Sequence, residues 1–147
     1  MKFVHFAVAA VLIGGTAGLI WPAHADSLPM DQPITVDGIE TACSGIGDEA
    51  QTDPRWPAYP IRVEFSNGGA QYLSGAHVTL SQHGKTLAAF DCSGAWVLFK
   101  NLKPGETYKV AATITDEPGA GEKSATFTPP AHGQKRVVIQ YPIEPGK

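Results

Sequence analysis

The sequence predicts an all-β fold, a single antiparallel β-sandwich of about seven strands, and three observations carry that prediction. Apolar and polar residues alternate in five short segments, the signature of strands with one buried face. Turn-forming clusters separate these runs ("SNGG", "HGK", "CSG", "KPGE", "DEPGAGE" and "PPAHG") at the spacing of an all-β sandwich. No stretch carries a long amphipathic helical pattern.

Taken in order, the chain opens with Lys2, an apolar run from Phe3 to Trp21 and then "PAHA". A positive start, an apolar centre and small residues at Ala23 and Ala25 predict a secretory signal peptide over 1–25, cleaved after Ala25. The mature protein is then periplasmic or secreted. An uncleaved anchor is the rival reading, because the run approaches the length of a bilayer span. Gly14, Gly15 and Gly18 and the small-x-small site argue against it, so no stable membrane insertion is expected after cleavage. Residues 26–33, "DSLPMDQP", read as a loose lead-in.

Losing 25 of 147 residues leaves ample length for one domain with a substantial core. The net charge of −3 becomes one unit more negative when Lys2 departs. Nucleic acid and anionic membrane surfaces both call for a basic face, so neither is expected as a partner. Cys43 and Cys92 are the two cysteines of a chain bound for an oxidising compartment, which predicts one structural disulfide. They are far apart, in no C-x-x-C pair, and no histidine accompanies either, so a redox or metal role is not supported.

Residues 34–58 read as an N-terminal strand, at about 35–43, followed by a connector. In "GIGDEAQTDPRW", Asp48 stands three residues before Gln51, the spacing of a capping box, with Glu49 in the first turn. Pro54 limits any helix to one or two turns within 47–56. Trp56 and Tyr59 are expected to pack this connector onto the sandwich.

The sandwich proper is expected over 59–142, with 143–147 as a tail. "IRVEF" places Ile61, Val63 and Phe65 on one face and Arg62 and Glu64 on the other. "AHVTLS" sets Ala76, Val78 and Leu80 against His77, Thr79 and Ser81. Tyr108, Val110, Ala112 and Ile114 alternate in "TYKVAATI"; Ala125 with Phe127, and Val137, Ile139 and Tyr141, do the same further on. "SQHGKTL" reads as a tight hairpin with Gly84 in its turn. Pro104-Gly105 is the pair a type II turn prefers.

The stretch from "YLSGAHVTL" through "SGAWVLFKNL" to "LKPGETYKV" resembles a carboxypeptidase regulatory-like domain, a prealbumin-like β-sandwich of exported proteins. Three elements carry the likeness: Gly75-Ala76 leading into a strand; "SGAWVLFKNL", where those domains have D-x-x-G-x-F-x-F-x-x-L; and "LKPGETYKV", where they have L-x-P-G-x-Y-x-V. The resemblance covers about residues 60–142. It implies that Tyr108 enters the core after the turn, and it implies a fold rather than an activity. A looser likeness links "GIGDEAQ" and "GGAQYL" to uncharacterised bacterial periplasmic proteins of this class. Two departures stand out: 34–58 has no counterpart in a minimal regulatory domain, and no attached peptidase domain is expected.

The residues give little sign of catalysis. His77, His83 and His132 show neither H-x-H nor H-x-x-E spacing, so no metal site and no cofactor is expected. The transthyretin-like hydroxyisourate hydrolases share the implied fold, but their N-terminal histidine and C-terminal Y-R-G-S are missing. Ser44, Ser74 and Ser93 each neighbour a glycine but sit in no G-x-S-x-G. Asp48, Glu49 and Asp53 could serve as an acid–base set, yet cap and turn chemistry explains them. The candidate binding surface is therefore Asp48, Glu49, Arg55, Trp56 and Tyr72, with Trp96 assigned to the core. The expected function is a non-enzymatic binding or structural module of the cell envelope, its partner an unknown protein or envelope ligand. The alternatives are a hydrolase or other enzyme around Asp48, Glu49 and Arg55, and a subunit of an envelope assembly joined by strand addition.

Overall fold

The computed structural model describes residues 26–145, so the predicted leader over 1–25 lies outside the described residues. The chain is mostly β. In order come β1 (Asp26–Ser27), β2 (Ile34–Val36), β3 (Ile39–Ser44), α1 (Asp48–Gln51) and a 3-10 turn at Trp56–Ala58. These are followed by β4 (Ile61–Ser66), β5 (Ala76–Gln82), β6 (Lys85–Cys92), β7 (Trp96–Lys100) and β8 (Tyr108–Ile114). A second 3-10 turn at Pro118–Ala120, β9 (Lys123–Phe127) and β10 (Lys135–Gln140) complete the order.

The strands form two five-stranded sheets, ordered β1-β6-β5-β8-β9 and β10-β4-β7-β3-β2. The expectation of about seven strands, all antiparallel, is corrected on both counts. Among the described residues there are ten strands, and each sheet is mixed, because β1 runs parallel to β6 and β10 parallel to β4. Alternation reports which face of a strand is buried and says nothing of its direction, so the parallel pairs left no mark in the pattern.

Two of the additional strands come from the N-terminal region. Residues 26–33 are not loose: β1 pairs with β6, Leu28 is buried, and the backbone N–H of Asp31 donates to Cys43 O at 2.8 Å. The expected strand at 35–43 is a hairpin, β2–β3, turning at Asp37 (φ 48°) and Gly38 (φ 84°). Two consecutive positive φ values are the demand of a type I′ turn, which Asp-Gly meets at low cost. The β5–β6 hairpin turns on His83 and Gly84 in the same way, as its sequence predicted.

One apolar cluster joins the inner faces of both sheets. Ile61, Val63, Phe65, Val97, Phe99, Val137 and Ile139 come from one sheet, and Val78, Leu80, Phe90, Val110 and Phe127 from the other. The disulfide Cys43–Cys92 crosses this core, linking β3 of one sheet to β6 of the other. Tyr108 is buried against Phe127, and its hydroxyl accepts the Lys103 N–H at 3.0 Å, closing the Pro104-Gly105 turn.

Just past the end of β10, Tyr141 donates its hydroxyl to Ala112 O on β8 at 2.5 Å. Burial, with a smaller contribution from the Glu122 charge, pushes this phenol up to about 12 from its ordinary 10.0. A phenol raised on folding stabilises the native state fully below the unfolded value, and loses that contribution as pH rises through the folded one. Stability should accordingly fall between about pH 10 and pH 12. Phenolate absorbance and circular dichroism, followed together, should show Tyr141 ionising as the fold is lost, and Tyr141→Phe should blunt the decline.

Candidate functional site

The connector after β3 lies on the outer face of the β10-β4-β7-β3-β2 sheet. There Trp56 and Tyr59 meet Ala42, Ala95, Trp96 and Leu98 in a second, smaller apolar cluster. Trp56 is 2% exposed, contacts Tyr59 edge-on at 5.7 Å, and donates its indole N–H to Ala50 O at 3.0 Å. Tyr59 in turn donates to Glu40 Oε1 at 2.6 Å; burial first, then that carboxylate, drives its pKa well upward. The strand β7 is therefore covered on both faces, which is why "WVLF" reads as an unbroken apolar run.

Of the five predicted surface residues, four belong to this connector; Glu49 and Arg55 line one pocket with Asp31, Ile46, Ala50 and Asp53, whereas Asp48 and Trp56 are not part of its lining. The capping box is corrected: the N-cap of α1 is Gly47, with no side-chain cap, and Asp48 is the first helical residue. Gln51 instead reaches back to Gly45 O at 2.8 Å. Gly47 takes φ 84°, a value that suits glycine and shifts the helix start by one residue. Asp48→Ala should consequently change stability by only a few tenths of a kcal/mol, the worth of an exposed first-turn charge. Gln51→Ala should cost about 1 kcal/mol. Urea midpoints of the two variants check that order.

Glu49 is exposed. Arg55 donates from Nε and its terminal nitrogen to the Asp53 carboxylate at 2.6–3.1 Å. It also donates to Asp31 O at 3.0 Å and lies 4.5 Å over the Trp56 ring. The Arg55 side-chain hydrogen bond, followed by its backbone N–H, holds Asp53 below the usual carboxylate range. Nε and one terminal nitrogen of Arg55 are thus engaged in fastening the connector.

Tyr72 belongs to a different constellation, one that centres on Glu64. The sequence put Arg62 and Glu64 on a solvent face; Glu64 is instead fully buried there. It accepts the Tyr72 hydroxyl at 2.5 Å, pairs with Arg136 Nε, and lies 3.7 Å from Arg62. The parallel register explains the need for it. Arg62 and Arg136 are direct neighbours on β4 and β10, and two guanidinium groups side by side require a counter-charge.

Trp96 forms the floor beside this carboxylate. Its ring lies 4.3 Å from the Arg62 guanidinium and meets Tyr72 edge-on at 6.0 Å. Gly45 (φ 96°) lies against it so closely that a Cβ would come within 2.6 Å of the ring. Tyr72 stays 41% exposed, as do parts of both arginines. The site visible from solvent is therefore Tyr72 on one oxygen of Glu64 and Arg62 and Arg136 on the other. Among the described residues no group of three or more His, Cys, Asp or Glu is placed to hold a metal ion, and no helix is long and apolar enough to cross a membrane. His77 pairs with Asp91 at 2.8 Å on the exposed face of the other sheet.

No protein-family model matches the chain, and no curated protein matches it. The site must be interpreted from its own chemistry.

Proposed function

We propose that this is an exported, non-enzymatic β-sandwich of the carboxypeptidase regulatory-like type, serving as a binding or structural module of the cell envelope. On this reading it is released into the periplasm or medium by cleavage after Ala25. The main support is the way the charged groups are used. Asp53 and Arg55 neutralise each other, and Arg55 is further tied to Asp31 O and Trp56, while Asp48 and Glu49 stand in solvent. General acid–base work calls for free carboxylates on a shared cleft. Asp31, Glu49 and Asp53 line one pocket with Arg55, but Asp31 accepts the Ser44 hydroxyl and Asp53 is paired with Arg55, which leaves the rival enzyme reading at Asp48, Glu49 and Arg55 little support. What faces solvent is an aromatic ring and two arginines gathered on one buried carboxylate, residue types enriched in contact surfaces.

Crosslinking in intact cells, followed by recovery of the tagged protein, tests this reading. The expected result is a discrete adduct in the soluble envelope fraction, carried by a protein whose first residue is Asp26. An uncleaved chain in the membrane fraction would count against export. Loss of the adduct in folded Glu49→Gln alone would move the site to the connector. Subunit assembly by strand addition is the second reading, favoured by β10, whose six residues pair on one side only.

A further inference from the structure

We infer that Arg62, Arg136, Trp96 and Tyr72 form a binding site for a single carboxylate, with Tyr72 as its movable cover. The inference rests on the reading of the protein as a binding module and names the chemistry that this module recognises.

The cluster is rich in donors and short of acceptors. Two guanidinium groups bring five N–H donors each, and the indole and phenol add one apiece, against the one carboxylate of Glu64. Two of those donors are buried without an acceptor: Trp96 Nε1 and Arg62 Nε, the only such side-chain atoms among the described residues. Buried donors are paired in the great majority of cases, so two unpaired ones in adjoining residues mark a place where an acceptor is wanted. Trp96 is 3% exposed and held between Gly45 and Arg62, so its N–H is fixed in place before any ligand arrives.

Charge selects the acceptor. Two arginines against one glutamate leave one positive charge in excess, which a monoanion balances. A planar, two-oxygen acceptor matches the fork of a guanidinium, and a carboxylate is that acceptor. A phosphate dianion overshoots the balance and meets the Glu64 charge. Access is through Tyr72, which is fastened to the cluster by its hydroxyl on Glu64 and otherwise rests edge-on against Trp96. The Tyr72 backbone is bridged to Ser66 at the end of β4, so the cover opens by rotation of the side chain alone.

The indole N–H resonances of the exported protein provide the test, because Trp56 is an internal control already bonded to Ala50 O. The probes are acetate, the dipeptide acetyl-Ala-Ala with a free carboxyl, and the same dipeptide amidated. Acetate or the free-carboxyl peptide should shift the Trp96 resonance saturably; the amide, chloride and phosphate should not, and Trp56 should stay in place. A response to acetate alone assigns the site to small carboxylates, and a response to both assigns it to chain termini as well. Arg136→Gln should weaken the response roughly tenfold, the worth of one charged hydrogen bond. Tyr72→Phe, which releases the cover, should strengthen it. A Trp96 resonance that ignores both carboxylates, or that moves equally with chloride or phosphate, overturns the inference. The wild-type titration alone decides this even if Arg136→Gln does not fold. Failure of the crosslinking experiment with a normal Trp96 titration would unseat the envelope-module reading and leave the site standing.

Discussion

Removing the Cys43–Cys92 bridge is expected to destabilise the protein by about 4 kcal/mol, the chain-entropy value for closing a loop of this length. The two residues stand 49 apart, and both sulfurs are buried in the core between the sheets. Without the bond the unfolded chain regains the freedom of that loop, while the native state loses its only covalent tie from β3 to β6 among the described residues. The bond also spans the region where Gly94 approaches Ser44 so closely that a Cβ would lie 2.2 Å from the backbone oxygen. Cys43→Ala/Cys92→Ala should therefore unfold at a much lower denaturant concentration than the oxidised protein. Reductant should have the same effect on the wild type and none on the double variant. A double variant with an unchanged midpoint would refute this account of the bridge.

Glu64→Gln is the second large effect, expected at about 3 kcal/mol, the low end for breaking a buried ion pair. The substitution keeps the shape and leaves Tyr72 an acceptor, but it removes the charge that separates Arg62 from Arg136. The low end is appropriate because Arg62 and Arg136 are 25% and 58% exposed, so water takes over part of the lost interaction. Arg136→Gln should cost less, since Glu64 keeps Arg62 and Tyr72 and no charge is stranded in the interior. Restoring part of the loss by adding Arg136→Gln to Glu64→Gln would identify charge crowding as the cause, and thermal melts of the three variants measure it. A Glu64→Gln protein as stable as the wild type would show that water already screens the pair.

What could be foreseen followed the chemistry that each pattern reports. Inward alternation at Ile61, Val63 and Phe65 reports burial, and the core holds those residues. Gly84 and Pro104-Gly105 report backbone demands, and the turns fall there. Cys43 and Cys92, being two in number, left one pairing, and it is formed. The "VDGIE" segment carries an equally plain hairpin signal at Asp37-Gly38, which a single strand over about 35–43 leaves unused.

Glu64 was missed for a different reason. Alternation assigns a residue to the outer face of its own sheet, and whether that face meets water depends on segments distant in sequence. Here Tyr72 and Arg136 cover it. The available hint lay on the neighbouring strand, where "WVLF" lacks polar positions and so requires cover on both faces. Asp48 failed as a cap because its glycine neighbour serves instead, and a one-residue shift at a helix start is beyond what spacing resolves.

The parallel pairing of β10 with β4 bears on the order in which the molecule can assemble. Glu64 and its partner Arg136 are 72 residues apart, and β10 is the last strand among the described residues. During synthesis, or passage through a membrane from the amino end, β4 emerges long before the strand that flanks it. Until Lys135–Gln140 arrives, the nascent sheet presents the edge of β4 with Glu64 lacking Arg136. Such an intermediate is a target for chaperones and for mispairing with neighbouring chains. Shortening the chain before Lys135 should freeze it in that condition.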